Sequence, residues 1–205
     1  IPPEVLERKT AFGTPQGFEY SRHLMADLFL VQDLPVRVYY RPRDRIDALI
    51  ERAEEGKWVF RDETTHLLYR IQNGKALHDP EGWLARSRER LARVPDAFWS
   101  HLKEGSRVAL DRALADVGAA VYRGDHLFYQ LSAARFLQSL SSFLFALNRQ
   151  FEPGYQMLLG RITKLDKLPD EFTGRFDGLI RPDIEITPVR RYEICQLIAR
   201  SLNYL

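Results

Sequence analysis

One cysteine, Cys195, stands in the whole chain of 205 residues. A lone cysteine excludes an internal disulfide and any cysteine-based metal cluster. Its apolar neighbours Ile194, Leu197 and Ile198 point to a buried, inert thiol rather than a nucleophile. No run of 18 apolar residues occurs, so no transmembrane helix is expected; the longest apolar region, 136–147, is broken by Gln138, Ser139, Ser141 and Ser142. Lysine is scarce, 6 against 24 arginines, yet the net charge is only +2. Nothing in that balance draws the whole surface to nucleic acid, which is therefore not an expected partner. The five histidines (His23, His66, His78, His101 and His126) contain no His-x-x-x-His pair, so no zinc site is expected. The Arg–His spacing of a helical ribonuclease is lacking too, because Pro95 interrupts the stretch between Arg93 and His101. The opening Ile-Pro-Pro-Glu has neither an initiator Met nor a signal-peptide pattern. The sequence thus reads as a piece of a longer, cytoplasmic protein.

With 45% hydrophobic and 28% charged residues, the chain can bury a sizeable core, and no long disordered stretch is expected. Residues 3–9 read as a short helix and 11–17 as a loop punctuated by Gly13, Pro15 and Gly17. Leu28–Val31 and Val36–Tyr40 read as an antiparallel hairpin around an Asp33-Leu-Pro35 turn. Arg43–Glu55 reads as a helix stopped by Gly56, followed by short strands or irregular segments at 57–60 and 67–71. Helices then dominate: Trp83–Arg93, Asp96–Val121 with a break near Gly105, Asp125–Phe151, Glu152–Leu165, Leu168–Phe176 and Pro188–Leu205, with 178–187 a loop or strand piece. The clearest periodicity is Leu127, Leu131, Ala134, Leu137, Leu140, Leu144, Leu147 and Phe151, which predicts a central helix. The expected fold class is α+β and predominantly helical. A small α/β piece containing the hairpin (1–80) precedes a C-terminal helical bundle (81–205).

Two stretches carry a resemblance. Gly74-Lys-Ala-Leu-His-Asp-Pro-Glu-Gly82, after a hairpin and a helix, resembles the edge of a nucleotidyltransferase domain that has a helical C-terminal extension. Arg123-Gly-Asp-His126, then Phe145-Ala-Leu-Asn-Arg-Gln-Phe-Glu-Pro153 and Tyr155, is similar to the pattern of the DUF4037 family, a relative of the aminoglycoside and kanamycin nucleotidyltransferases. The resemblance covers roughly residues 25–170. It implies transfer of a nucleotidyl group from a nucleoside triphosphate by acid-held Mg ions, since hard cations gripping a triphosphate need clustered carboxylates.

The implied motif, Gly-Ser followed by Asp-x-Asp, is not found in working order. Gly105-Ser106 lies in a helical region, and Asp183-Ile-Glu185 sits between Pro182 and Pro188 near the C-terminus. The strand expected to bring a third carboxylate reads Val36-Arg37-Val38, whose arginine would repel a metal. The catalytic centre either lies upstream of Ile1 or has been lost, so no catalytic or metal-ligating residue and no bound cofactor is expected in this chain. Mg and a nucleoside triphosphate belong to an intact parent.

Two groups remain as candidate substrate contacts. Arg123 and Asp125 open the central helix, where Asp125 serves more readily as its N-cap with Arg123 solvated than as a grip on phosphate or an acceptor. Asn148, Arg149, Tyr155 and Arg161 gather near a helix corner, where they support the corner, with Tyr155 packed and its hydroxyl paired, as readily as they contact a ligand; Gln156 stands where the family pattern has lysine. The first reading is a helical portion that shapes a nucleotide or small-molecule acceptor cleft. The alternative is a catalytically inactive binding or regulatory module, paired as a homodimer through its apolar helices.

Overall fold

The computed structural model describes residues 15–20, 25–31, 34–57, 65–181 and 185–205. The fold is α+β and predominantly helical, with a three-stranded antiparallel sheet and eight α-helices among the described residues. The chain forms two compact units, residues 1–49 and 50–205.

In the first unit, β1 (Pro15–Tyr20), β2 (Met25–Val31) and β3 (Leu34–Tyr40) form a meander with β2 in the middle. The hairpin is longer than its apolar runs suggest, because β2 begins at Met25 and pairs with Tyr40. Pro35, expected in a turn, lies in β3 opposite Leu30. An edge strand tolerates the missing N–H. Pro15–Gly17, expected as loop, belongs to β1, where the register shifts between Pro15 and Gly17 as a bulge. β3 alternates as a half-buried strand should: Val36, Val38 and Tyr40 turn inward while Arg37 and Tyr39 face out. The expected helix over 3–9, the segment 11–14, Asp33, most of the 57–60 segment and Asp183-Ile184 lie outside the described residues.

The helix α1 spans Arg43–Glu54. Its Ile50 and Ala53 are fully buried, and Gly56 stops it at a φ of 68°. Residues 67–71 are not a strand but part of α2 (His66–Asn73), which buries Leu68, Tyr69 and Ile71. So short an apolar run fits either period, and tertiary packing decides it. The helix α3 (Trp83–Leu91) is capped by Asp79, whose Oδ2 accepts from the Leu84 N–H at 3.0 Å.

The bundle is organised by α4 (Asp96–Arg123) and α5 (His126–Leu147), folded against each other by the turn Gly124–Asp125. No break occurs at Gly105: α4 runs unbroken for 28 residues, and the buried Ser106 hydroxyl donates to Leu102 O at 2.6 Å. Then come α6 (Tyr155–Ile162), α7 (Phe172–Ile180), α8 (Pro188–Ser201) and a closing 3₁₀ turn, Leu202–Tyr204. Gly178–Ile180, expected in a loop or strand piece, are helical. Val117, Phe136, Leu140, Leu144, Ile162 and Ile198 form the centre of the core. The Cys195 thiol is buried there, and burial pushes it up to about 12. Among the described residues no helix is long and apolar enough to cross a membrane.

The central helix is not uniformly central. Its last turns, Ser139–Leu147, are buried on every side, whereas Leu127 and Leu131 remain 72% and 52% exposed. The periodic stripe read from the sequence is therefore core only in its second half. The first half rests on α4 along its Tyr129, Ser132 and Phe136 face.

Gly118 supplies a close approach. A Cβ there would lie 2.6 Å from the Tyr192 hydroxyl oxygen and 2.7 Å from its ring. In a helix interior glycine costs about 1 kcal/mol against alanine, so Gly118→Ala should stabilise unless Tyr192 prevents it. We expect Gly118→Ala to lower stability by roughly 1–2 kcal/mol in denaturant unfolding. In a Tyr192→Ala background the same change should become neutral or stabilising. A stabilised single variant would show that α4 and α8 do not pack this closely.

Candidate functional site

The corner between α5 and α6 collects the unusual chemistry. α5 ends in a Schellman arrangement: the Gln150 N–H reaches Phe145 O at 3.0 Å and the Arg149 N–H reaches Ala146 O at 3.0 Å. This ending places Arg149 at a φ of 52°, a position that favours glycine. The chain then passes through Phe151, Glu152 and Pro153, all buried. Phe151 packs against Phe98 and Trp99, with ring centroids 6.0 and 5.1 Å away.

Glu152 is 2% exposed. Its N–H donates to Thr65 Oγ1 at 2.7 Å, which ties the corner to the start of α2. Its Oε2 accepts from the Ser142 hydroxyl at 2.7 Å, while Oε1 is buried with no hydrogen-bond partner. Desolvation raises this carboxyl from its ordinary 4.5 to about 7, against the Ser142 bond that lowers it. Beside it, Tyr155 is 63% exposed; its hydroxyl accepts from Gln138 Nε2 at 3.0 Å, and its ring meets His66 edge-on at 5.4 Å. Burial and the Glu152 charge hold the Tyr155 phenol above its ordinary range. The His66 Nε2 is buried without a partner, and desolvation, then the Arg70 charge, hold the imidazole below its usual value. The Arg70 guanidinium lies 3.8 Å from where a Gly154 Cβ would stand.

Alongside Tyr155 opens a groove of about 460 Å³ between α5, α6 and α7. Leu137, Leu158 and Phe176 wall it, and Gln138, Ser141 and Tyr155 are its polar members.

The residues singled out from sequence fall into two places. Asp125 caps α5, its Oδ1 accepting from the Phe128 N–H at 2.9 Å, and Arg123 is exposed in the last turn of α4. Asn148, Arg149 and Tyr155 lie at the other end of α5, whose 22 residues span about 33 Å. Asn148 is a brace: its side chain donates to Leu144 O and Lys167 O and accepts from the Lys167 N–H, all within 3.0 Å. Arg149 makes an exposed ion pair with Asp96 at 3.1 Å. Arg161 is exposed in the last turn of α6, about 9 Å along that helix from Tyr155.

Thr65, His66, Ser142 and Glu152 were not singled out from the sequence. One signal was available: a carboxylate beside a proline, directly after an apolar helix. Asp27, in the middle strand, carries no sequence motif; it is 2% exposed and its Oδ1 has no partner. Its register partner in β3 is Val38, so that strand sets no second carboxylate opposite it. Arg37 is exposed and donates to the Tyr39 hydroxyl at 3.2 Å. Gly105-Ser106 is interior helix, and no group of three or more His, Cys, Asp or Glu able to hold a metal is found among the described residues.

A predominantly helical α+β protein with a tied helix corner is the class that this geometry defines. Residues 60–157 match the family model described as Domain of unknown function (DUF4037). That segment is shorter at both ends than the resemblance read from sequence, and it contains both sides of the Thr65–Glu152 bond. No curated protein and no solved structure matches the chain.

The raised Glu152 carboxyl sets a pH dependence. Between 4.5 and about 7 the folded chain keeps a proton that the unfolded chain has released, so stability falls as pH rises across that window. Each pH unit there costs about 1.4 kcal/mol, roughly 3 kcal/mol in all. His66 acts oppositely: its lowered value makes stability rise with pH up to 6.5. Glu152→Gln keeps the shape and removes only the first contribution. Denaturant unfolding from pH 4 to 8 should therefore show the variant gaining on the parent as pH rises, reaching roughly 3 kcal/mol above pH 7. Parallel pH profiles for the two proteins would contradict the burial of this carboxyl.

Proposed function

We propose that the chain is the helical portion of a nucleotidyltransferase-like protein, and that its α5–α6 corner forms one wall of a nucleotide or small-molecule acceptor cleft. The observation that supports this reading is the DUF4037 match over 60–157, which contains the whole tied corner and reaches Tyr155. On this reading Asn148 holds the corner in shape, and Arg149 and Arg161 offer exposed guanidinium forks suited to phosphate or carboxylate. Tyr155 offers an aromatic face. A helix length away, Asp125 caps α5 beside the exposed Arg123. Metal-assisted transfer needs clustered carboxylates, so Mg and the nucleoside triphosphate would be held by a companion catalytic lobe in the cytoplasm.

A second reading, a catalytically inactive binding or regulatory module that pairs with another copy, draws support from Leu127 and Leu131, whose apolar side chains are exposed on α5. Under that reading the mass in sedimentation rises with concentration, and Leu131→Arg keeps the chain monomeric.

Titration with ATP separates the accounts. The first reading expects weak binding that Mg does not strengthen, with amide shifts in NMR centred on Arg149, Tyr155 and Arg161. Arg149→Ala with Arg161→Ala should weaken it severalfold. Tight, Mg-dependent binding by this chain alone, or shifts centred on Arg123, would overturn it.

A further inference from the structure

The groove beside Tyr155 has a size, a charge character and a rim that together define a ligand. Its volume, about 460 Å³, falls within the range of small-molecule sites, about 300–1,000 Å³. None of the residues lining the groove is charged. An ion entering it would give up part of its hydration with no charged partner to replace it.

The rim sets the polar end. Gln138 donates through Nε2 to the Tyr155 oxygen at 3.0 Å, which leaves the Gln138 Oε1 as an acceptor and the Tyr155 O–H as a donor. The Ser141 hydroxyl is already committed to Leu137 O at 2.8 Å. His66 braces the Tyr155 ring edge-on, so the donor is positioned before any ligand arrives. One adjacent acceptor and donor match a group that both gives and takes a hydrogen bond.

We infer that the groove between α5, α6 and α7 binds one small, uncharged, mainly apolar molecule whose single polar head is a hydroxyl or a carboxamide. The inference goes beyond the nucleotide-cleft reading and stands whether or not the corner takes a nucleotide. The head sits between Gln138 and Tyr155, and the body covers Leu137, Leu158 and Phe176.

The test uses the full 205-residue chain and two fluorescent probes with the same ring system, 2-naphthol and naphthalene-2-sulfonate. We expect 2-naphthol to bind at one site and the sulfonate at least about tenfold more weakly. Gln138→Leu should weaken 2-naphthol about tenfold by removing the acceptor for its O–H and leave the sulfonate unchanged. Ala134→Trp, a substitution on an exposed wall residue, should fill the groove and abolish binding, with thermal unfolding confirming that the variant is folded. Equal affinity for the two probes, several weak sites, or binding that survives Ala134→Trp in a folded protein would overturn the inference. No binding by a monomer would do the same. So would a dimer that Ala134→Trp dissociates, since the groove would then be an interface between copies.

Discussion

Glu152 holds together two parts of the chain that are far apart in sequence, and it does so from a position where water cannot reach it. Its backbone N–H is bonded to Thr65 and its carboxyl to Ser142, so α2, α5 and the entry to α6 meet at one residue. A buried carboxyl with one oxygen unpartnered costs stability unless it stays protonated, which is why desolvation dominates its chemistry. The surroundings accept that cost in return for a fixed corner. Phe151 packs against Phe98 and Trp99, Asn148 is bonded three ways, and Tyr155 lines the groove.

The arginine excess has a comparable structural explanation. Arg88 donates to the carbonyls of Ile71 and Gly74, and Arg90 grips the Glu54 carboxylate through two nitrogens, which holds that carboxyl below its ordinary range. Arg191 donates to Arg181 O, and Arg175 and Arg181 pair with carboxylates one helical turn away. A planar fork suits these tasks better than an ammonium does. Being partly exposed, such pairs orient segments more than they stabilise them.

The long helices were legible because 3.6-residue periodicity persists over many turns, as in 110–121 and 136–147. The edge strand was legible from the alternation of Val36, Arg37, Val38, Tyr39 and Tyr40. Failures came where a short segment obeys two rules at once. Leu67–Ile71 fits strand or helix, and only burial of Leu68 and Ile71 decides it. Gly105 looks like a breaker, yet neighbouring turns carry it. Leu127 and Leu131 obey the periodicity and are still exposed, because periodicity reports a face and not what covers it. Of the site, the Asn148–Tyr155 corner was visible as a motif. Thr65 and Ser142 were not, since their partners lie 87 and 10 residues away and hydroxyl side chains carry no positional signature.

The groove, the arginine forks and the Tyr155 rim all depend on whether the corner is rigid. The most direct measurement is hydrogen exchange at the Glu152 amide. If its N–H is held by Thr65 Oγ1 in a buried corner, it should exchange as slowly as the core amides of α4 and α5. In Thr65→Val, which keeps the shape and removes the acceptor, that amide alone should accelerate by orders of magnitude. Fast exchange at Glu152 in the unaltered protein, at the rate of an open loop, would contradict the account.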